Sequence, residues 1–134
     1  MHSQAVLFDA DDLVDQIESF SQDQLDHLPF GVILIDCEGT VLFYSETEAR
    51  QSGYGRNPIG QNLFAIAACF DVDDFRGRIE RAMEEGNVDL EFGWVGDYAD
   101  PDRDLRIRVM SAKSRAGIWI FVQRDIDNGG NQSG

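Results

Sequence analysis

A chain of 134 residues is long enough for one domain with a real core; its apolar fraction is ordinary and its charged fraction slightly rich. The net charge of −14 argues against a surface for DNA, RNA or anionic lipid, since nothing would offset phosphate repulsion. Two cysteines, Cys37 and Cys69, are too few for a disulfide framework; with no CxxC, no HExxH and only His2 and His27, a protein-built metal site is not expected.

The opening MHSQAVLFDADD lacks a basic segment ahead of a long apolar one, so no signal peptide is expected. No run approaches the roughly 18 apolar residues of a membrane span, and a soluble cytoplasmic protein is expected. From Ala10 onward, Leu13, Ile17, Phe20, Leu25 and Leu28 recur at spacings that predict one or two short amphipathic helices, with Ser21 and Gln24 marking a second start. Pro29 ends this segment. The runs FGVILID and TVLFYS, rich in β-branched and aromatic residues and split by CEG, predict a β-hairpin from Phe30 to Tyr44. SETEARQSGYGRNPIG then predicts one or two helical turns and a loop, and QNLFAIAACF a further turn. VDDFRGRIERAMEEGN is the clearest helix, with Val72, Phe75, Ile79, Ala82 and Met83 on one face and Gly86-Asn87 as its stop.

Three strand-like segments complete the pattern: DLEFGWVGDY, DLRIRVMSAK and GIWIFVQRD. The second sets Leu105, Ile107 and Val109 against Arg106 and Arg108. The basic stretches Arg76 to Arg81 and Arg103 to Arg108 alternate with acids or apolar residues and are expected on solvated faces. The closing NGGNQSG reads as a flexible tail or linker. This order is met by an α+β fold: a five-stranded antiparallel sheet with helices on one face and a short N-terminal helical cap. That is the architecture of a PAS domain, with residues 1–28 as the cap, 29–125 as the PAS core and 126–134 as the tail. Fold alone names no chemistry.

Tyr44, Glu48 and Ser52 stand at i, i+4 and i+8, so a helix there would point a phenol, a carboxyl and a hydroxyl the same way. Turned inward, they would form a polar floor in an apolar pocket; turned outward, they are ordinary surface residues. Glu46 lies on another helical face and is expected in solvent. A free cysteine such as Cys69 usually packs as a small hydrophobe. His2 and His27 are its only conceivable partners, and no nucleophile motif surrounds it, so an enzyme is not expected. Cys37 falls in the hairpin turn as an incidental thiol. Phe64, Phe92, Trp94, Trp119 and Phe121 fit a core and could equally wall a ligand cavity.

Together these segments resemble the photoactive yellow protein family, PAS-fold photoreceptors that bind p-coumaric acid (4-hydroxycinnamic acid) as a cysteine thioester. The resemblance runs from about Asp9 to Arg124. It shows in QLDHLPFG, GVILIDCEGTVLFY, IGQNLF leading to AAC, Asp97-Tyr98 and WIFVQR, and above all in Tyr44, Glu48, Ser52 and Cys69 together. It implies that Cys69 carries the chromophore, that Tyr44 and Glu48 donate hydrogen bonds to its phenolate oxygen, and that Ser52 supports Tyr44. Glu48 has to be protonated to donate, and such bonds would move the absorption into the blue. Light would isomerise the vinyl bond from trans to cis and Glu48 would pass its proton to the ligand. A buried carboxylate without a counter-charge, costly by several kcal/mol or so, would then loosen the N-terminal cap.

The chain also departs from the family's pattern. Ala68 stands where proline is usual, Tyr54 where an arginine shields the ring, and Gly96 and Asp100 where phenylalanine and methionine cover the chromophore. Tyr54, Gly96, Tyr98 and Asp100 are therefore the pocket or lid candidates, with a lid unlike the family's. The missing methionine puts rapid thermal recovery in question. The main competing reading is a PAS module that binds a ligand or partner without a covalent chromophore. A flavin photosensor would need an Asn-Cys-Arg-Phe motif in place of NLFAIAACF, and a haem sensor an axial histidine that is absent after Leu28. With no kinase, cyclase or DNA-binding segment attached, output would pass through an unknown downstream signalling protein or through dimerisation, the chain being a monomer or weak dimer.

Overall fold

Two short helices, α1 (Leu13–Glu18) and α2 (Gln22–Asp26), lead into the first strand. The computed structural model describes residues 8, 10–52, 57–66, 72–84, 89–95, 102–113 and 117–124. The second helix begins where the sequence places it: Ser21 Oγ accepts the Gln24 N–H at 3.2 Å, and the Gln24 side chain accepts the Ser21 N–H at 2.9 Å. Strands β1 (Gly31–Ile35) and β2 (Val41–Tyr44) form the expected hairpin. In its turn Asp36 Oδ1 accepts from the N–H groups of Glu38 and Thr40, and Gly39 adopts a φ of 94°, which side-chain-bearing residues rarely take. Cys37 is left exposed there.

Helices α3 (Glu46–Ser52), α4 (Leu63–Ile66) and α5 (Val72–Glu84) precede β3 (Asp89–Val95), β4 (Asp104–Ser111) and β5 (Ile118–Arg124). All pairings are antiparallel, in the order β2-β1-β5-β4-β3. The chain's first and last strands therefore meet at the centre, and β1 and β5 are the most buried.

Alternation along the strands divides the core into two layers. On one face Ile33, Ile35, Ile107, Val109, Ile120 and Val122 pack with Leu63 of α4 and Ile79 of α5. On the other, Val32, Leu34, Trp119 and Phe121 pack with Phe8, Leu13, Ile17 and Leu25 of the N-terminal segment. The cap thus covers the sheet face opposite α4 and α5. Phe30 anchors it, its ring lying edge-on to Phe8 at 5.6 Å and to Phe121 at 6.1 Å.

The basic stretch of β4 departs from expectation at Arg108, while Arg106 is exposed as expected. Alternation does turn Arg106 and Arg108 away from Leu105 and Ile107, but the cap occupies that side. Arg108 is only 7% exposed, and its Nη1 donates to the carbonyls of Phe8 at 2.7 Å and Ala10 at 2.9 Å. Arg106 lies over the Phe8 ring, 5.1 Å from its centre. Trp119 Nε1 and the Lys113 N–H both donate to Glu18 Oε2, at 2.8 and 3.0 Å. The face that reads as solvated is so at Arg106, while at Arg108 it seats the cap. The Arg76 to Arg81 stretch of α5 is exposed at its arginines, as its sequence suggests.

Candidate functional site: a buried carboxylate against the sheet

Tyr44 is the last residue of β2, not part of a helix, which corrects the i, i+4, i+8 reading. The chain turns at Ser45, fully buried, whose Oγ accepts the N–H of Glu48 and the N–H of Val32, both at 3.1 Å. One hydroxyl thereby caps α3 and ties it to β1. Thr47 Oγ1 donates to the carbonyls of Leu28 at 2.7 Å and Asp26 at 3.0 Å, while Asp26 Oδ1 accepts the Glu46 N–H at 2.9 Å. With the start of α3 fixed in this way, one charged side chain of its first turn is directed inward. That residue is Glu48, 5% exposed, while Glu46 is exposed as expected.

The Glu48 carboxyl meets Arg124 in a two-pronged salt bridge. Nη1 donates to Oε1 at 2.8 Å and Nη2 to Oε2 at 2.7 Å, and the two side chains are 6% and 1% exposed. Such fork-on-fork bonds are among the stronger ones available to side chains. Arg124 continues the alternation Ile118, Ile120, Val122 on β5, so it faces the layer beneath the helices. Gly31 makes the approach possible: a Cβ there would stand 1.8 Å from Glu48 Oε1. The expectation that an ionised Glu48 would lack a counter-charge therefore fails, because Arg124 lies against it.

Tyr44 is half-buried and packs on the same layer that Arg124 and Gly31 face. A phenol and a carboxyl are thus brought to one side of the sheet by a strand end and a helix, with an apolar layer between the strands and α4 and α5. Ser52 closes α3. Cys69, Tyr54, Gly96, Tyr98 and Asp100 lie outside the described residues. His27, considered as a partner for Cys69, caps α2 in solvent with Nδ1 2.7 Å from the Asp23 carbonyl.

Sequence reasoning missed Arg124, Gly31 and Ser45 as working parts of this site. The first had a signal: a charged residue in register with Ile118, Ile120 and Val122 on a buried strand requires an opposite charge. Chemically, Arg124 takes one acceptor position on each carboxyl oxygen, which leaves a further position free to accept from a hydroxyl when ionised or to carry a proton for donation when neutral.

No family model matches the chain. It is 32% identical over 123 residues to the photoactive yellow protein of Rhodothalassium salexigens, an alignment spanning 89% of this chain and 97% of the relative. The photoactive yellow protein of Halochromatium salexigens matches at the same identity and coverage. Among solved structures, the photoactive yellow protein domain of the sensor histidine kinase Ppr from Rhodospirillum centenum superposes with a TM-score of 0.68 at 32% identity, covering 81% of this chain and 96% of that domain. The Rhodobacter sphaeroides LOV protein shares the fold at a TM-score of 0.60 and 18% identity.

Proposed function

The chain belongs to the photoactive yellow protein family, and from that premise we propose that it is a blue-light photoreceptor holding p-coumaric acid as a thioester on Cys69. The observation that carries this reading is the buried Glu48: a carboxyl sealed under a sheet, beside an apolar layer and with spare hydrogen-bonding capacity, suits a phenolic ligand and serves no evident surface role. Gly31, whose missing Cβ admits that carboxyl, supports the fit from the opposite strand.

The bound group would supply light absorption and a trans-to-cis isomerisation. The remaining work falls to this chain. Cys69 would attach the group by displacing the leaving group of an activated acyl donor, its own thiol proton going to solvent. Tyr44 and a protonated Glu48 would hold the phenolic oxygen, with Ser52 supporting Tyr44. Tyr54, Gly96, Tyr98 and Asp100 would shape the pocket and its lid. After light, Glu48 would release its proton toward that oxygen, and residues 1–28 would loosen to present a changed surface to a downstream signalling protein. The role is sensory rather than catalytic. The setting would be cytoplasmic. Among the described residues no helix is long and apolar enough to cross a membrane.

The test is to mix the purified protein with activated p-coumaric acid, beside Cys69→Ala. A denaturation-resistant mass increase confined to the wild type, with a blue band that bleaches and recovers, would establish the reading. Absence of both adduct and band would overturn it and leave a PAS module for another ligand.

A further inference from the structure

The Glu48–Arg124 pair has a consequence for the lifetime of the activated state. We propose that Arg124 is its counter-ion, a positioning residue that holds the carboxylate Glu48 becomes on losing its proton. The inference rests on the photoreceptor reading.

The proton balance sets the direction. Before light the proton sits on Glu48 and the negative charge on the ligand oxygen. The transfer breaks one O–H bond at Glu48 and forms one at the ligand, so the site's net charge is unchanged. Only the product offers Arg124 a carboxylate, and the fork that receives it is already built, with both bonds at 2.8 Å or less. Neither side chain has to enter or leave water, at 6% and 1% exposure. Ser45 fixes the backbone of Glu48 and Gly31 leaves room for its carboxyl, so the charge is received without rebuilding the helix. Arg124 therefore stabilises the product more than the starting state, and slows the thermal return.

Arg124→Met removes the fork, and Arg124→Lys keeps the charge with one prong. In the loaded protein we expect Arg124→Met to recover about tenfold faster or more, the scale of a charge-assisted hydrogen bond, with Arg124→Lys in between. The light-minus-dark infrared spectrum should lose a carboxylic C=O band, assigned by Glu48→Gln, and that loss should shrink in Arg124→Met. In the chromophore-free protein, the stability penalty of Arg124→Met should fall sharply in the Glu48→Gln background. Unchanged or slower recovery, an undiminished C=O loss, or penalties that simply add would each overturn the proposal. A chain that takes no adduct overturns the functional reading, and the proposal with it, while the coupling in the chromophore-free protein is read separately.

Discussion

Gly31→Ala is the smallest change that reaches the buried pair. The new Cβ would stand 1.8 Å from Oε1, 2.9 Å from Cδ and 3.1 Å from Cβ of Glu48. To regain a contact near ~3.5 Å the carboxyl must withdraw by about 1.7 Å. Hydrogen bonds at 2.7 and 2.8 Å do not survive that withdrawal unless Arg124 follows, and Arg124 is held in β5 with its side chain 1% exposed. Overpacking costs ~1–3 kcal/mol and breaking a buried pair ~3–5 kcal/mol, against a gain of ~0.4–1 kcal/mol from stiffening the unfolded chain. These costs overlap, since a carboxyl that moves relieves the clash as it loses the pair, and the expected net loss is ~2–4 kcal/mol.

Urea unfolding of the chromophore-free protein reads this directly, as a lower midpoint at unchanged slope. The decisive comparison is the same substitution in a Glu48→Ala background. There the carboxyl is gone, the closest remaining Glu48 atom of the three is the Cβ at 3.1 Å, and the added cost should fall below ~1 kcal/mol. A neutral Gly31→Ala, or an equal penalty in both backgrounds, would refute the claim that Gly31 exists to admit Glu48.

Arg108→Met removes the donors to the Phe8 and Ala10 carbonyls. It should cost ~2–3 kcal/mol and raise hydrogen exchange in the cap before α5, whereas a uniform rise would argue against a local clamp. Ser45→Ala strands the N–H groups of Val32 and Glu48 and should lower stability by ~1–2 kcal/mol in urea; a loss under ~0.3 kcal/mol would mean the cap is dispensable. The hydrogen bond from His27 to the Asp23 carbonyl, then the charge of Asp23, raises the His27 pKa above its usual 6.5. A raised value stabilises fully below the unfolded pKa and loses that contribution as pH climbs through the folded one. Relative to His27→Gln, the wild type should therefore be more stable at about pH 6 and converge with it by about pH 8. Divergence with rising pH would contradict the assignment.

The strands and helices were legible because their signals are local. The hairpin, the Ser21–Gln24 start of α2 and the period of α5 each follow from residues adjacent in sequence. The layer on each side of the sheet was legible only in part. Alternation on β4 assigns Arg108 a side but cannot say that Phe8, a hundred residues earlier, covers it. The i, i+4, i+8 spacing offers Glu48 as pocket floor or as surface, and only the family resemblance favours the inward reading, since SETEARQS is polar. What the sequence leaves hidden is long-range: Arg124 reaches Glu48 across 76 residues, and Gly31 matters only because a third element packs over it.

A Glu48 carboxylate paired with Arg124 would also change how a signal reaches the cap. The cap residues pack on the sheet face opposite the layer that Arg124 faces, and in the photoreceptor reading Arg124 would cancel the new carboxylate at close range. Through-space repulsion is then a weak lever. Bonds offer a shorter route. The first turn of α3 is tied to the end of the cap segment by Glu46 N–H to Asp26 Oδ1 and by Thr47 Oγ1 to the Asp26 and Leu28 carbonyls. Two donors make these contacts, the Thr47 hydroxyl sharing one hydrogen between two carbonyls, and at ~0.5–1.5 kcal/mol each they fall within the range of a local opening. Ser45, bonded to both β1 and Glu48, is the natural pivot. A shift of α3 as the ligand moves away from it, with Glu48 staying in the Arg124 fork, would strain those bonds without any charge crossing the sheet. Release of the cap would then follow from where α3 is anchored rather than from an unpaired charge.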